Sequence, residues 1–116
     1  MNIEEYRDYC LSLGDDVEEK LPFTAFKYAG DVLVFYVNGH MFAFFRCDHF
    51  QVVTLKCRPE CIEELKARHS CIDHPFNLSP KHWIGVDATT APNDLLRQLT
   101  RDSYEIVKAK YPPVHE

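Results

Sequence analysis

No P-loop, no Gly-x-Gly-x-x-Gly and no Gly-x-Ser-x-Gly occurs in this chain of 116 residues. Backbone cradles for nucleotide phosphates and the strained serine elbow of acyl-transfer enzymes are therefore not signalled. No apolar run approaches the roughly 18 residues that span a bilayer. The start, Met1-Asn2-Ile3-Glu4-Glu5, is acidic and amphipathic where a signal peptide is basic and then apolar, so a cytoplasmic protein with no membrane partner is expected. Repeats, low-complexity tracts and Gly/Ser linkers are missing too, and the length suits one domain, residues 1–116. The five cysteines are an odd number in a chain without an export signal, which argues for reduced thiols rather than a disulfide framework.

A basic excess is also lacking. The net charge is −5, and residues 1–31 carry all of it, with eight acids and three bases; the remainder holds ten of each. A surface that attracts polyanions everywhere is excluded, whereas a local basic patch is not.

What the chain does have is aromatic and β-branched residues. Eight Phe, six Tyr and one Trp can fill a core, each large ring burying roughly 150–250 Å². Asn2 with Glu5 makes a capping-box start, and Ile3, Tyr6, Cys10 and Leu13 recur at helical spacing, with Gly14 placed as a left-handed C-cap. That predicts a helix over residues 3–13. Residues 15–30 are less regular, with a short edge strand over 17–21 stopped by Pro22. Two apolar runs, 32–37 and 40–46, flank Asn38-Gly39, the strongest short hairpin signal. A strand follows over 51–57, then a helix opened by Pro59 with Ile62, Leu65 and His69 on its buried side. A second hairpin is predicted from 71–77 and 82–87, and a last helix from Pro92 with Leu95, Leu96, Leu99, Ser103, Ile106 and Val107 on one side. The order is helix, three or four strands, helix, two strands, helix. It predicts an α+β fold, a two-layer sandwich with an antiparallel sheet. Both alternating sets of 32–37 are apolar, so both faces of that hairpin should be covered, by helices on both sides or by a partner chain.

Pro22-Phe23, Val32 to Val37, Gly39-His40-Met41-Phe42-Ala43, Leu55-Lys56-Cys57 and Pro59-Glu60 form an ordered set. It continues with Lys81-His82-Trp83-Ile84, Asp94-Leu95-Leu96 and Ser103-Tyr104. Taken together they resemble the MmcQ/YjbR-like family of small bacterial proteins, over nearly the whole chain; Lys-His-Trp-Ile is the most telling piece. The resemblance implies a compact fold related in shape to type III secretion chaperones, and a family often labelled DNA-binding from a double-wing shape analogy. It brings no established catalytic residues. The family commonly has Gly after Pro-Phe and Lys before Met-Phe, where this chain has Thr24 and His40.

Cys57, Cys61, His69, Cys71 and His74 lie within eighteen residues, and zinc sites do present ligands as close pairs. The helix pattern instead sets Cys61 and His69 near an apolar face, so packing is the expected role, with no metal and no cofactor. Cys47 with His49, and Cys71 with His74, lack the orienting and oxyanion groups that a thiolate nucleophile needs. The expectation is a non-enzymatic chain. Two kinds of partner stay open. Nucleic acid, DNA in the first place, would use Lys81, His82 and Trp83 at a hairpin tip and the stripe Arg97, Arg101, Tyr104 and Lys108 on the last helix. Against this, Arg97 with Asp94, Arg101 with Glu105 and Lys108 with Glu105 are spaced as ordinary helix-surface ion pairs. A protein partner, a second copy or another chain in an adaptor or chaperone-like role, would use the doubly apolar hairpin.

Overall fold

A computed structural model of the chain describes residues 1–25 and 30–113; part of the irregular stretch expected over 15–30 lies outside the described residues. The elements are α1 (Ile3–Ser12), β1 (Val17–Lys20), β2 (Val32–Val37), β3 (His40–Arg46), β4 (Val52–Lys56), α2 (Pro59–Arg68), β5 (Ile72–Asp73), β6 (Trp83–Asp87) and α3 (Asn93–Lys110). The strands form one antiparallel sheet in the order β1-β2-β3-β4-β6-β5. Among the described residues no helix is long and apolar enough to cross a membrane.

Local chemistry sets most of these boundaries. The Asn2 side chain accepts the Glu5 N–H at 2.8 Å while Glu5 Oε1 accepts the Asn2 N–H at 3.2 Å, which satisfies two of the donors a helix start leaves open. Asn38 and Gly39 have φ of 52° and 80°, the pair of positive values that a two-residue hairpin needs to follow the strand twist. Gly14 differs from expectation. It is not a left-handed cap, since its φ is not positive. A Cβ at Gly14 would stand 2.4 Å from Asp16 Oδ1 and 2.5 Å from Tyr104 Oη, so glycine is needed there for close approach.

All three helices lie on one face. The main core joins Tyr6 and Cys10 of α1, Ile62 of α2, and Leu96, Leu99, Tyr104 and Val107 of α3 to Phe35, Val37, Phe42, Phe45, Val53, Leu55, Ile84 and Val86 of the sheet. The second face carries a smaller cluster, Val32, Val34 and Phe44, packed by Phe23, Tyr36, Met41 and Leu78. Both faces of the hairpin are thus covered, but the second by loop side chains rather than by helices. The connection between β5 and β6 makes this possible. β5 is only two residues long, shorter than the hairpin arm expected over 71–77, because the chain turns at once over the second face. The His74 carbonyl passes so near Gly85 that a Cβ would stand 2.3 Å from it, and the Phe76 N–H donates to Thr54 Oγ1 at 3.3 Å.

Polar groups inside the core are matched. Thr100 donates to the Leu96 carbonyl at 2.7 Å, which leaves the Tyr6 hydroxyl as donor to Thr100 Oγ1 at 2.8 Å. Burial and the neighbouring Cys10 hold the Tyr6 phenol well above its ordinary range, so it stays protonated. Ser103 bridges α3 to the sheet. Its Oγ donates to the Phe42 carbonyl at 2.5 Å and accepts the Lys56 N–H at 2.8 Å. Phe42 is the extra residue of a bulge, where β2 pairs Phe35 with Ala43 but Tyr36 with Met41. β3 and β4 part beyond Ala43 and Leu55, so the hydroxyl replaces ladder partners that the bulge removes.

Candidate nucleic-acid interface

Antiparallel order brings the end of β2, the start of β3, the end of β4 and the start of β6 to one end of the sheet. Val53 and Leu55 face the helices, as do Ile84 and Val86; alternation therefore turns Lys56 and its cross-strand partner Trp83 to the second face. There the Lys56 ammonium lies 5.0 Å from the centre of the half-buried Trp83 ring, within cation–π range. Desolvation by burial, then the nearby Lys110, lower the Lys56 pKa from its ordinary value. The end of α3 adds Lys110, 5.4 Å from the Tyr111 ring centre. Tyr111 stacks on His40 with centroids 3.5 Å apart and planes 11° apart. Lys81 and His82 are exposed on the turn leading into β6, which the Ser79 carbonyl holds by accepting the N–H groups of His82 and Trp83 at 3.2 and 3.1 Å. Tyr36 and Met41, paired across β2 and β3, continue the same face toward the sheet's other edge.

The six residues predicted for nucleic-acid contact do not come together. Lys81, His82 and Trp83 sit at this end; Arg97, Arg101 and Lys108 do not join them as free charges. Arg97 pairs with Asp94 at 3.5 Å and Arg101 with Glu105 at 3.3 Å. Roughly 20 Å of helix, at 1.5 Å per residue, separates Arg97 from Lys110. Lys108 pairs not with Glu105 but with Asp16 at 2.8 Å, and donates to the Tyr104 hydroxyl at 3.1 Å. Tyr104, read as part of the basic stripe, is buried, and its hydroxyl donates to Asp16 at 2.6 Å. Leu96, Leu99, Ser103 and Val107 are buried as the period predicts, and the buried side extends to Thr100 and Tyr104, where Gly14 leaves room for the hydroxyl.

Ion pairing separates the cations more sharply than position does. Arg7, Lys20, Arg46, Arg68, Arg97, Arg101 and Lys108 each have a carboxylate partner. Among the described residues Lys56, Arg58, Lys66, Lys81 and Lys110 have none. Lys56, Lys81 and Lys110 are at the Trp83 end of the sheet, and Arg58 is two residues beyond Lys56. Lys56, Lys110 and Tyr111 were missed in the sequence, since only the pairing of β4 with β6 and the landing point of α3 reveal them.

A family model described as YjbR matches residues 12–106. The chain belongs to the YjbR family. Two solved structures set this YjbR chain among its neighbours. A Deinococcus radiodurans protein with the family-model domain DUF419 shares 30% identity and a TM-score of 0.80, covering 94% of this chain and 80% of that one. A Pseudomonas syringae protein shares 22% identity and a TM-score of 0.75, covering 92% of this chain and 99% of its own length, and supports the fold alone. No curated protein matches the chain.

The cysteines and histidines of this YjbR chain are dispersed. Among the described residues no three His, Cys, Asp or Glu side chains gather where they could hold a metal ion. Burial pushes the Cys57 thiol up to about 11 and the Cys10 thiol up to about 12, far from the thiolate a nucleophile needs. Cys47 is raised too, by burial and then by Asp31 and Asp48. His49 bonds Gln51 at 2.7 Å and His74 stands 3.8 Å from Asp73.

Proposed function

We propose that this YjbR protein is a non-enzymatic, cytoplasmic binding domain that takes single-stranded nucleic acid, DNA included, across the Trp83 end of its sheet. The observation behind the reading is the convergence of cations without carboxylate partners on exposed or half-exposed rings: Lys56 over Trp83, and Lys110 over Tyr111 beside His40. Rings of this kind take unstacked bases regardless of sequence, and lysines beside them track the phosphates. A duplex hides its base faces, so the flat aromatic component favours single strands. An acidic remainder of the surface fits a small footprint: three phosphate contacts by Lys56, Lys81 and Lys110 predict a log K against log salt slope of about −2. The raised thiols and the dispersed histidines support the absence of catalysis.

Trp83 is the sole tryptophan, so its emission reports stacking directly. Titration with a fluorescent single-stranded oligonucleotide at low salt should raise the anisotropy, and an unlabelled one should quench Trp83 in parallel. Flat anisotropy together with unchanged emission would sink the proposal.

A second reading, a protein-interaction module, has one specific support. Phe76 and Val52 are 43% and 41% exposed and share a small recess with Phe44. It predicts self-association or a partner on that face; light scattering of a strict monomer, unchanged by Phe76→Ser, counts against the second-copy form.

A further inference from the structure

On the helical side a groove of about 300 Å³ opens between α2 and α3. It exists because α2 packs chiefly on β5 while α3 packs on β3 and β4, so the two helices stand apart over the β4–β6 border. Its floor is apolar: Cys57, Ile84 and Leu99 are buried, and Cys61, Leu65 and Ile106 are half-buried. Five charged side chains and Lys56 ring it. Glu64 is matched by Arg68 at 3.6 Å and Glu105 by Arg101 at 3.3 Å, and Asp102 accepts from the Gln98 amide at 2.8 Å. Glu64 and Glu105 are thus neutralised by arginines and Asp102 is held by a neutral amide, whereas Arg58 and Lys56 have no carboxylate. Arg58 stands at the N-cap position of α2, and among the described residues its guanidinium has no carboxylate partner. An apolar floor with uncompensated cations at one end is complementary to a molecule with an apolar body and an anionic head, and the volume is at the small end of the roughly 300–1,000 Å³ of ligand pockets.

We propose that the α2–α3 groove binds a small organic monoanion, an aromatic or acyl carboxylate, with the carboxylate on Arg58 and the apolar body over Leu65, Leu99 and Ile106. Arg58 and the apolar floor lie outside the Trp83 face, Lys56 bordering both, and the reading does not depend on nucleic-acid binding. The test is a ¹H–¹⁵N NMR titration of the full chain with 2-naphthoate, and with 2-naphthylmethanol as its neutral analogue. Naphthoate should shift the amides of Cys57, Cys61, Leu99 and Ile106; the alcohol and the Arg58→Gln variant should each bind about tenfold more weakly, as loss of one charged hydrogen bond predicts. Ile106→Trp, which fills the groove, should abolish those shifts while oligonucleotide anisotropy persists; Trp83→Leu should do the reverse. Three results overturn the proposal: no groove shifts at millimolar naphthoate, equal binding of the neutral alcohol, or shifts confined to the Val52–Phe76 recess. None of them bears on the oligonucleotide titration.

Discussion

The α1 side of the molecule and the Trp83 end of the sheet treat their cations in opposite ways. Along α1, β1 and the outer side of α3, Arg7 is bound to Glu19 through two nitrogens, Arg97 and Arg101 fold onto acids of their own helix, and Lys108 closes on Asp16 and Tyr104. At the Trp83 end Lys56, Lys81 and Lys110 have rings or solvent beside them and no carboxylate. Nearly the same residue types thus do different work. In the first region charge is matched within the chain, Lys108 on Asp16 tying the N-terminal quarter to the last helix; in the second it has no carboxylate partner. Net charge carries no hint of this division, since the C-terminal three-quarters sum to zero.

Ser103 connects the two regions, and its removal has the largest expected effect. Ser103→Ala leaves the buried Phe42 carbonyl and the Lys56 N–H without partners, a loss of about 2–6 kcal/mol when each such group costs roughly 1–3. Urea unfolding should show a lower midpoint at unchanged slope, and oligonucleotide binding should weaken as the Lys56 strand end loosens. A midpoint shift under about 0.5 kcal/mol would mean that water replaces the hydroxyl and that α3 does not hold this end. Next in size is Trp83→Leu, which removes a stacking surface at little cost in packing: binding should fall by about 1–3 kcal/mol. An unchanged affinity there would end the distinction drawn between the two regions.

The fold was legible because its signals are local: the Asn2–Glu5 cap, Asn38-Gly39, Pro59 and the period of α3 each act within a few residues. The site was legible only in its local half. Lys81-His82-Trp83 stands together in the chain, but Lys56 reaches Trp83 through a long-range strand pair and Lys110 through the length of a helix. The reading of Arg97, Arg101 and Lys108 as one basic stripe identified the helix spacing and missed what lay across from it. Asp16 is 88 residues from Tyr104 in sequence, and nothing near either one announces the other.

The clasp at Asp16 gives a pH test of the fastening role. Hydrogen bonds from Lys108 and then Tyr104 hold the Asp16 carboxyl below its ordinary value. A carboxyl depressed on folding contributes stability above its unfolded pKa of about 3.9 and loses it as pH falls through the folded value. Wild type should therefore exceed Asp16→Asn in urea midpoint at about pH 6, and the two should converge toward about pH 3. A gap that persists at the acidic end would mean that the carboxylate charge on Asp16 is not what fastens the clasp.

The smallest effect is the most discriminating. Arg97→Gln and Arg101→Gln each remove a cation that is already paired on an exposed helix face, where such pairs contribute about 0–1 kcal/mol. Oligonucleotide affinity and its salt slope should stay at the wild-type values, whereas Lys56→Gln and Lys110→Gln should each reduce the slope by about 0.7. The four variants carry the same change in formal charge, so a general field effect would move all of them alike. Equal weakening by all four would place the attraction in net charge rather than in the rings and lysines at the end of the sheet.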